Sequence, residues 1–347
     1  MDVEAEPTPV ESPAPSRGRR MDPRRVVVTG AAVLGLLAAG ILVGLSLGND
    51  AQPGTAPSVG SGQGAATGAP SAPPAARRTG PALFGVSVAR LPGEGPTQAV
   101  TRIKQEYGSL PVARVFSSDA PPDNWNDDPT LAALGDGSDV VYSFKADVEA
   151  AAGGQFDEQV RRFLSSKPAR VTAWVAFYHE PEDDVIRGTF TTQQFQAATE
   201  HLAPVIRDAG GIPTTILMQY TLAPGSGRDW HDYYSPAVDV LAWDAYNTAQ
   251  KRALPSYKPP QDFVDPVLAV AKETGKAFGW AEFGSPCITT DPDCTGRAAW
   301  LASMGQAFRD SGAQFATYWN RPGVKADLDF SLNDPPSVEA YRKLVAG

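Results

Sequence analysis

Histidine and cysteine are scarce, with three and two among 347 residues. Zinc centres gather several His, Cys or acidic ligands on one ion. His179, His201 and His231 lie far apart with no paired spacing, which speaks against a histidine-based metallohydrolase. Basic residues are also in the minority, 30 against 39 acidic, for a net charge of −9. Such a surface repels phosphate backbones and makes nucleic acid an improbable partner. No Gly-x-Ser-x-Gly elbow occurs, since Gly225-Ser226-Gly227 lacks the flanking pattern, so a serine hydrolase has no anchor. No short-period repeat marks a solenoid. The turn after the first strand-like run is RLPGEGP, without the third glycine of a dinucleotide-binding loop. No organic cofactor is expected.

Hydrophobic residues are unevenly distributed. Residues 1–25 are rich in Pro, Glu and Arg and read as a disordered cytoplasmic tail. The uncharged run 26–48, VVVTGAAVLGLLAAGILVGLSLG, is long enough at ~1.5 Å per helical residue to cross a ~30 Å hydrocarbon core. Arg17, Arg19, Arg20, Arg24 and Arg25 precede it and only Asp50 directly follows, which places the N-terminus inside and exports the rest. A cleaved signal peptide is the alternative to a retained anchor, giving a secreted protein. Residues 49–80 are built almost wholly from Gly, Ala, Ser, Pro and Thr and read as a flexible tether.

The remaining segment, 81–347, holds all seven tryptophans and both cysteines. Its length suits one barrel-sized domain. Cys287 and Cys294 bracket CITTDPDC, and a single close pair in an exported domain reads as a loop disulfide. Eight short apolar or β-branched runs recur, at 82–89, 112–118, 139–147, 171–180, 214–221, 239–247, 277–284 and 315–320. Amphipathic segments such as TTQQFQAATEHLAPVIRD and TGRAAWLASMGQAFRDSG separate many of them. Helices after the second and fifth runs are poorly marked, and Thr97 and Thr191 or Thr192 read as helix caps. The alternation predicts an α/β fold, a (β/α)8 TIM barrel with a parallel inner sheet.

Barrels of this kind present reactive groups at the C-terminal strand ends. Two glutamates stand there, Glu180 in AWVAFYHEPE and Glu282 in KAFGWAEFGS. Paired carboxylates on separate strands are the equipment of a retaining glycosidase, one as acid/base and one as nucleophile. Glu282 interrupts an otherwise apolar strand, where an idle buried carboxylate is too costly to keep. Arg114 and Tyr246 are candidates to hold its charge. His179 and Asp244 are candidate substrate contacts, and Trp319 offers a flat apolar face for a sugar ring. Trp125, in the polar DNWND loop, is read either as a second platform or as cover for the barrel end. Glu182 and Asp183 read as a solvated run, and Trp174, Trp243, Trp280 and Trp300 as packing residues.

The strand-four and strand-seven glutamates resemble those of clan A glycoside hydrolases. The His179-Glu180 pair and the WAEFGS segment are similar to glycoside hydrolase family 26, best known for β-mannanases. The resemblance spans about 81–347 and implies retaining hydrolysis of a β-linked polysaccharide, with mannan as first substrate and no metal. The tryptophan–arginine that often precedes the acid/base in that family is absent; Val175 and Ala176 stand there instead. A β-glucanase or xylanase on the same fold, and a membrane-tethered barrel that binds carbohydrate without cleaving it, are the alternatives.

Overall fold

The computed structural model describes residues 80–247, 256–322 and 328–347. Eight strands form one parallel sheet: β1 (Leu83–Ser87), β2 (Val112–Ser117), β3 (Asp139–Phe144), β4 (Ala173–Phe177), β5 (Ile212–Met218), β6 (Val240–Tyr246), β7 (Ala277–Gly284) and β8 (Phe315–Tyr318). Each pairs with its sequence neighbour, and β1 pairs with β8 to close the barrel. Every strand of a closed, helix-clad sheet is buried on both faces, which is why these runs are nearly continuous apolar stretches. At β1 the wall is so tight that a Cβ on Gly85 would lie 1.6 Å from the Val112 carbonyl oxygen.

Two apolar cores follow from the alternation of side chains. Val112, Val141, Trp174, Ile216, Ala281 and Phe315 fill the lumen, where the Trp174 and Phe315 rings sit 4.7 Å apart. The other strand face packs under the helical shell, where Trp243, Trp280 and Trp300 are buried as expected. Trp125 joins this shell, buried 5.1 Å from Phe163, so it is a packing residue and no sugar platform.

The shell contains α1 (Pro96–Tyr107), α2 (Pro129–Leu134), α3 (Val148–Ala152), α4 (Asp157–Ser165), α5 (Glu182–Ile186), α6 (Thr192–Asp208), α7 (Gln261–Thr274), α8 (Thr295–Ser311) and α9 (Pro335–Ala346). Thr191 caps α6 and forms a reciprocal box with Gln194. Thr97 does not cap α1: Gly95 does, because Pro96 already fixes the first helical φ. Strict alternation fails between β5 and β6. That connection holds two 3-10 turns, Gln219–Leu222 and Trp230–Tyr233, and no α-helix. Its APGSGRD stretch is too rich in Gly and Pro to propagate one.

Cys287 and Cys294 form the expected disulfide, with Cα atoms 5.4 Å apart, immediately before α8. Among the described residues no helix is long and apolar enough to cross a membrane. The tail, the apolar run 26–48 and the tether except Gly80 lie outside the described residues.

Candidate active site

Glu180 lies three residues beyond the end of β4. The chain turns sharply there, with Tyr178 at φ 54° and Glu180 at φ 50°. Left-handed backbone at non-glycine residues costs on the order of 1 kcal/mol each and persists where surrounding structure enforces it. Here two cross-strand hydrogen bonds do so. The Tyr178 N–H donates to the Phe144 carbonyl at 2.8 Å, and the Glu180 N–H donates to the Ile216 carbonyl at 3.0 Å. The carboxyl has no guanidinium partner. Burial, then the charge of Glu282, push its pKa up to about 7, while Lys145 and Arg114 pull it down.

Glu282 reaches the same space by another route. In β7, Trp280 faces the helical shell and Ala281 the lumen, so simple alternation would turn residue 282 outward. A register shift against β6 intervenes, pairing Trp243 with Trp280 but Asp244 with Glu282. The irregularity re-aims the carboxylate, as bulges near active sites do. Glu282 meets Arg114 Nε at 3.3 Å through Oε1 and accepts a hydrogen bond from the Tyr246 hydroxyl on Oε2. Both partners pull its pKa down against burial, which on balance raises it. Burial and the Glu282 charge hold the Tyr246 hydroxyl well above the usual phenol range, so it remains a donor.

Asp244 completes the group. One oxygen from each of Glu180, Asp244 and Glu282 lies within 4.8 Å of the others. Neither Asp244 oxygen has a hydrogen-bond partner. Burial, followed by Glu282 and Glu180, raises its pKa well above the usual carboxyl value, which favours the protonated form. Three clustered carboxyl groups with one contacting guanidinium favour a single negative charge among them. It belongs on Glu282, where Arg114 and Tyr246 are. The same oxygens have the donor chemistry of a hard divalent cation, but Arg114 already supplies positive charge at Glu282.

His179 Nδ1 lies 2.8 Å from the Ser143 hydroxyl, fixing the ring above β3. Burial, then Arg114 and Lys145, push its pKa well below the usual value, so it is neutral. Trp319 follows β8, half-exposed, with Phe116 stacked 5.9 Å away and the Arg321 guanidinium 4.9 Å from its ring. All seven residues expected at the site therefore stand at the C-terminal end of the barrel.

Other strand-end polar groups turn away from it. Gln219 and Asn247 tie loops together, Gln219 donating to the Phe263 carbonyl and Asn247 to the Ser285 hydroxyl. Glu182 corrects the expectation of a solvated run. It is fully buried, accepts the Met218 N–H at 2.8 Å, and burial pushes its pKa up to about 8. Asp183 instead pairs with Arg228 at 2.9 Å. Sequence reasoning missed Ser143 and Arg321. Inward alternation along β3 could have found Ser143; Arg321, in the loop after β8, carries no local signal.

No protein-family model and no curated protein matches the chain. Solved structures do. An exo-β-1,4-mannosidase from Opitutaceae bacterium strain TAV5 superposes with a TM-score of 0.52 at 12% identity, over 76% of this chain and 59% of that one. A glucosidase from Croceicoccus marinus gives 0.52 at 15%, over 76% and 66%. The catalytic domain of a family 26 endo-β-1,4-mannanase from Bacillus sp. JAMB-750 gives 0.50 at 12%, over 77% and 86%. The fold is one shared with clan A glycosidases, family 26 among them. At these identities the likeness concerns the barrel, and this chain spans less than two thirds of the mannosidase and about two thirds of the glucosidase.

Proposed function

We propose that the chain is a retaining glycoside hydrolase acting on a β-linked polysaccharide outside the cytoplasm, with mannan as the first substrate to try. The observation that carries this reading is the approach of Glu180 and Glu282, oxygen atoms within 4.8 Å, in opposite electrostatic surroundings. Carboxyl groups of retaining enzymes stand ~5–5.5 Å apart, whereas inverting enzymes leave ~6.5–9.5 Å for a water between them. Glu180 is protonated near neutrality and is the general acid. It gives its proton to the glycosidic oxygen as that bond to the anomeric carbon breaks, and a Glu282 oxygen bonds to the anomeric carbon. In the second half Glu180, now ionised, takes a proton from water; the water oxygen attacks the anomeric carbon and the Glu282 carboxylate departs.

Arg114 and Tyr246 keep Glu282 ionised before attack and stabilise it as leaving group afterwards. Neutral His179 and protonated Asp244 suit hydrogen bonding to sugar hydroxyls, and the Trp319 ring suits stacking on the C–H face of a sugar. The apolar run 26–48 behind a cluster of arginines supports attachment to the outer face of a cell membrane. The alternative, a tethered barrel that binds glycans without cleaving them, is disfavoured by the Arg114–Glu282–Tyr246 contacts, which pure binding does not need.

The deciding experiment is hydrolysis of β-mannan, β-glucan and xylan by the full chain, with product stereochemistry followed by proton NMR. Initial release of the β-anomer from a β-linked substrate supports retention; initial α-anomer means inversion. Binding without turnover would establish the carbohydrate-binding barrel.

A further inference from the structure

Beside Glu282 lies a cavity of about 430 Å³, lined by Val88, Arg90, Arg114, Val115, Phe116, Thr130 and Arg321. Three of those seven side chains are guanidinium groups and none is acidic. That is unexpected in a chain whose acids outnumber its bases. Several other arginines of the barrel have carboxylates: Arg102 pairs with Glu94, Arg207 with Asp239, Arg228 with Asp183 and Arg297 with Asp334, whereas Arg309, outside this cavity, is bonded to the Leu344 carbonyl. Among the described residues Arg90 and Arg321 pair with no acid, and Arg114 shares only Glu282.

Two of the three, Arg114 and Arg321, are built in, while Arg90 is exposed at the rim. Arg114 is 1% exposed, with its Nη1 bonded to the Val115 carbonyl and its Nη2 buried without a partner. Arg321 is held by its Nη2, which donates to the Val88 carbonyl at 2.8 Å, while its Nε is buried and unpartnered. Phe116 fixes both cations, with the Arg114 and Arg321 guanidinium carbons 5.3 and 5.2 Å from its ring centroid. Leaving buried charged donors unmatched is costly, and their mutual repulsion adds to the cost. An oxyanion entering the cavity relieves both. Arginine forks match the oxygens of a carboxylate, phosphate or sulfate group.

We infer that this cavity is a subsite for an anionic substituent on the glycan, so that the enzyme prefers an acidic polysaccharide to a neutral one. The inference rests on the glycosidase reading for its substrate class, and on the cavity alone for its charge. Arg114 joins the two, contacting the Glu282 carboxylate with one nitrogen and lining the cavity. A charged sugar bound there therefore lies beside the reacting anomeric centre.

The test measures binding by the full chain carrying Glu180→Gln, so that turnover does not interfere. The probes are matched β-1,4-linked oligosaccharides: neutral mannose, mannuronate, and mannose with phosphate or sulfate at O6. Expected is at least ~10-fold tighter binding of an anionic oligosaccharide than of its neutral match at low salt, falling as salt rises. Arg321→Gln and, separately, the exposed Arg90→Gln should each shrink that ratio, with circular dichroism confirming the fold. Uronate or ester preference identifies which anion the site takes. Equal binding of neutral and anionic forms, or a ratio unchanged in both variants, overturns the inference. Hydrolysis is scored separately in the unsubstituted chain. Anionic binding without any cleavage would keep the subsite and sink the glycosidase reading; cleavage of neutral glycans without charge preference would do the reverse.

Discussion

The ends of β4 and β7 present the same side chain to the same space and prepare it oppositely. Glu180 stands on a strained turn past its strand, with no guanidinium in contact, and burial raises it to about 7. Glu282 stands within its strand, re-aimed by a register shift, with Arg114 on one oxygen and Tyr246 on the other. Proton affinity is therefore a property of the surroundings, and the neighbour helps to set it: the charge on Glu282 holds the proton on Glu180. The strained backbone and the irregular ladder are the structural means of bringing two carboxyl groups from separate strands within reach.

The largest effect expected from breaking this asymmetry is at β7. Glu282→Gln removes the proposed nucleophile and should lower kcat on an aryl β-glycoside by roughly 10⁴-fold or more. Glu180→Gln should lower it by ~10²–10⁴-fold with a poor leaving group, and much less with a good one that needs no proton. Steady-state kinetics on a leaving-group series separates the two; equal losses at both positions across the series would contradict the assigned roles.

A subtler variant sharpens the contrast. Tyr246→Phe removes a hydrogen bond to a charged group, for which ~1.5–3 kcal/mol is typical, and should lower kcat by roughly 10–100-fold. It should also move the acid limb of the kcat/KM profile upward, because an ionised Glu282 loses a donor. On the proposed mechanism the alkaline limb belongs to Glu180: activity should fall as pH rises through about 7, since the acid loses its proton. A pH profile of wild type and variant checks both limbs.

The smallest predicted effect concerns stability. Glu182 has a folded pKa of about 8 against an ordinary value of 4.5. Between those values the folded state binds more protons than the unfolded one, so this group's contribution to stability falls as pH rises. Glu182→Gln mimics the protonated form and should lessen the decline in Tm between pH 5 and 8 by a few degrees, on the order of 2–4 °C per kcal/mol. Parallel thermal melts across pH would read it; identical slopes would mean that Glu182 does not titrate in that window.

Most of the barrel and the identity of its two glutamates were legible in the sequence. A strand covered on both faces must be a continuous apolar run, so a charge inside one, as at Glu282, stands out. Trp125 was not decidable, because a polar DNWND loop is equally compatible with an exposed ring and with one folded under α4. Glu182 misled for a related reason: PEDD reads as solvated, yet the first turn of α5 rotates its side chain beneath β5, onto the Met218 N–H.

Sequence by itself determined the strand pattern, the scarcity of metal ligands and the pairing of the cysteines, because each depends on composition or on spacing along the chain. Tertiary structure decided that Glu282 faces inward, that Asp244 joins the two glutamates as a third clustered acid, and that Arg90, Arg114 and Arg321 share one cavity. Those features arise from a one-residue slip between neighbouring strands and from loops that converge only when β8 closes on β1, and neither leaves a periodic trace in the chain.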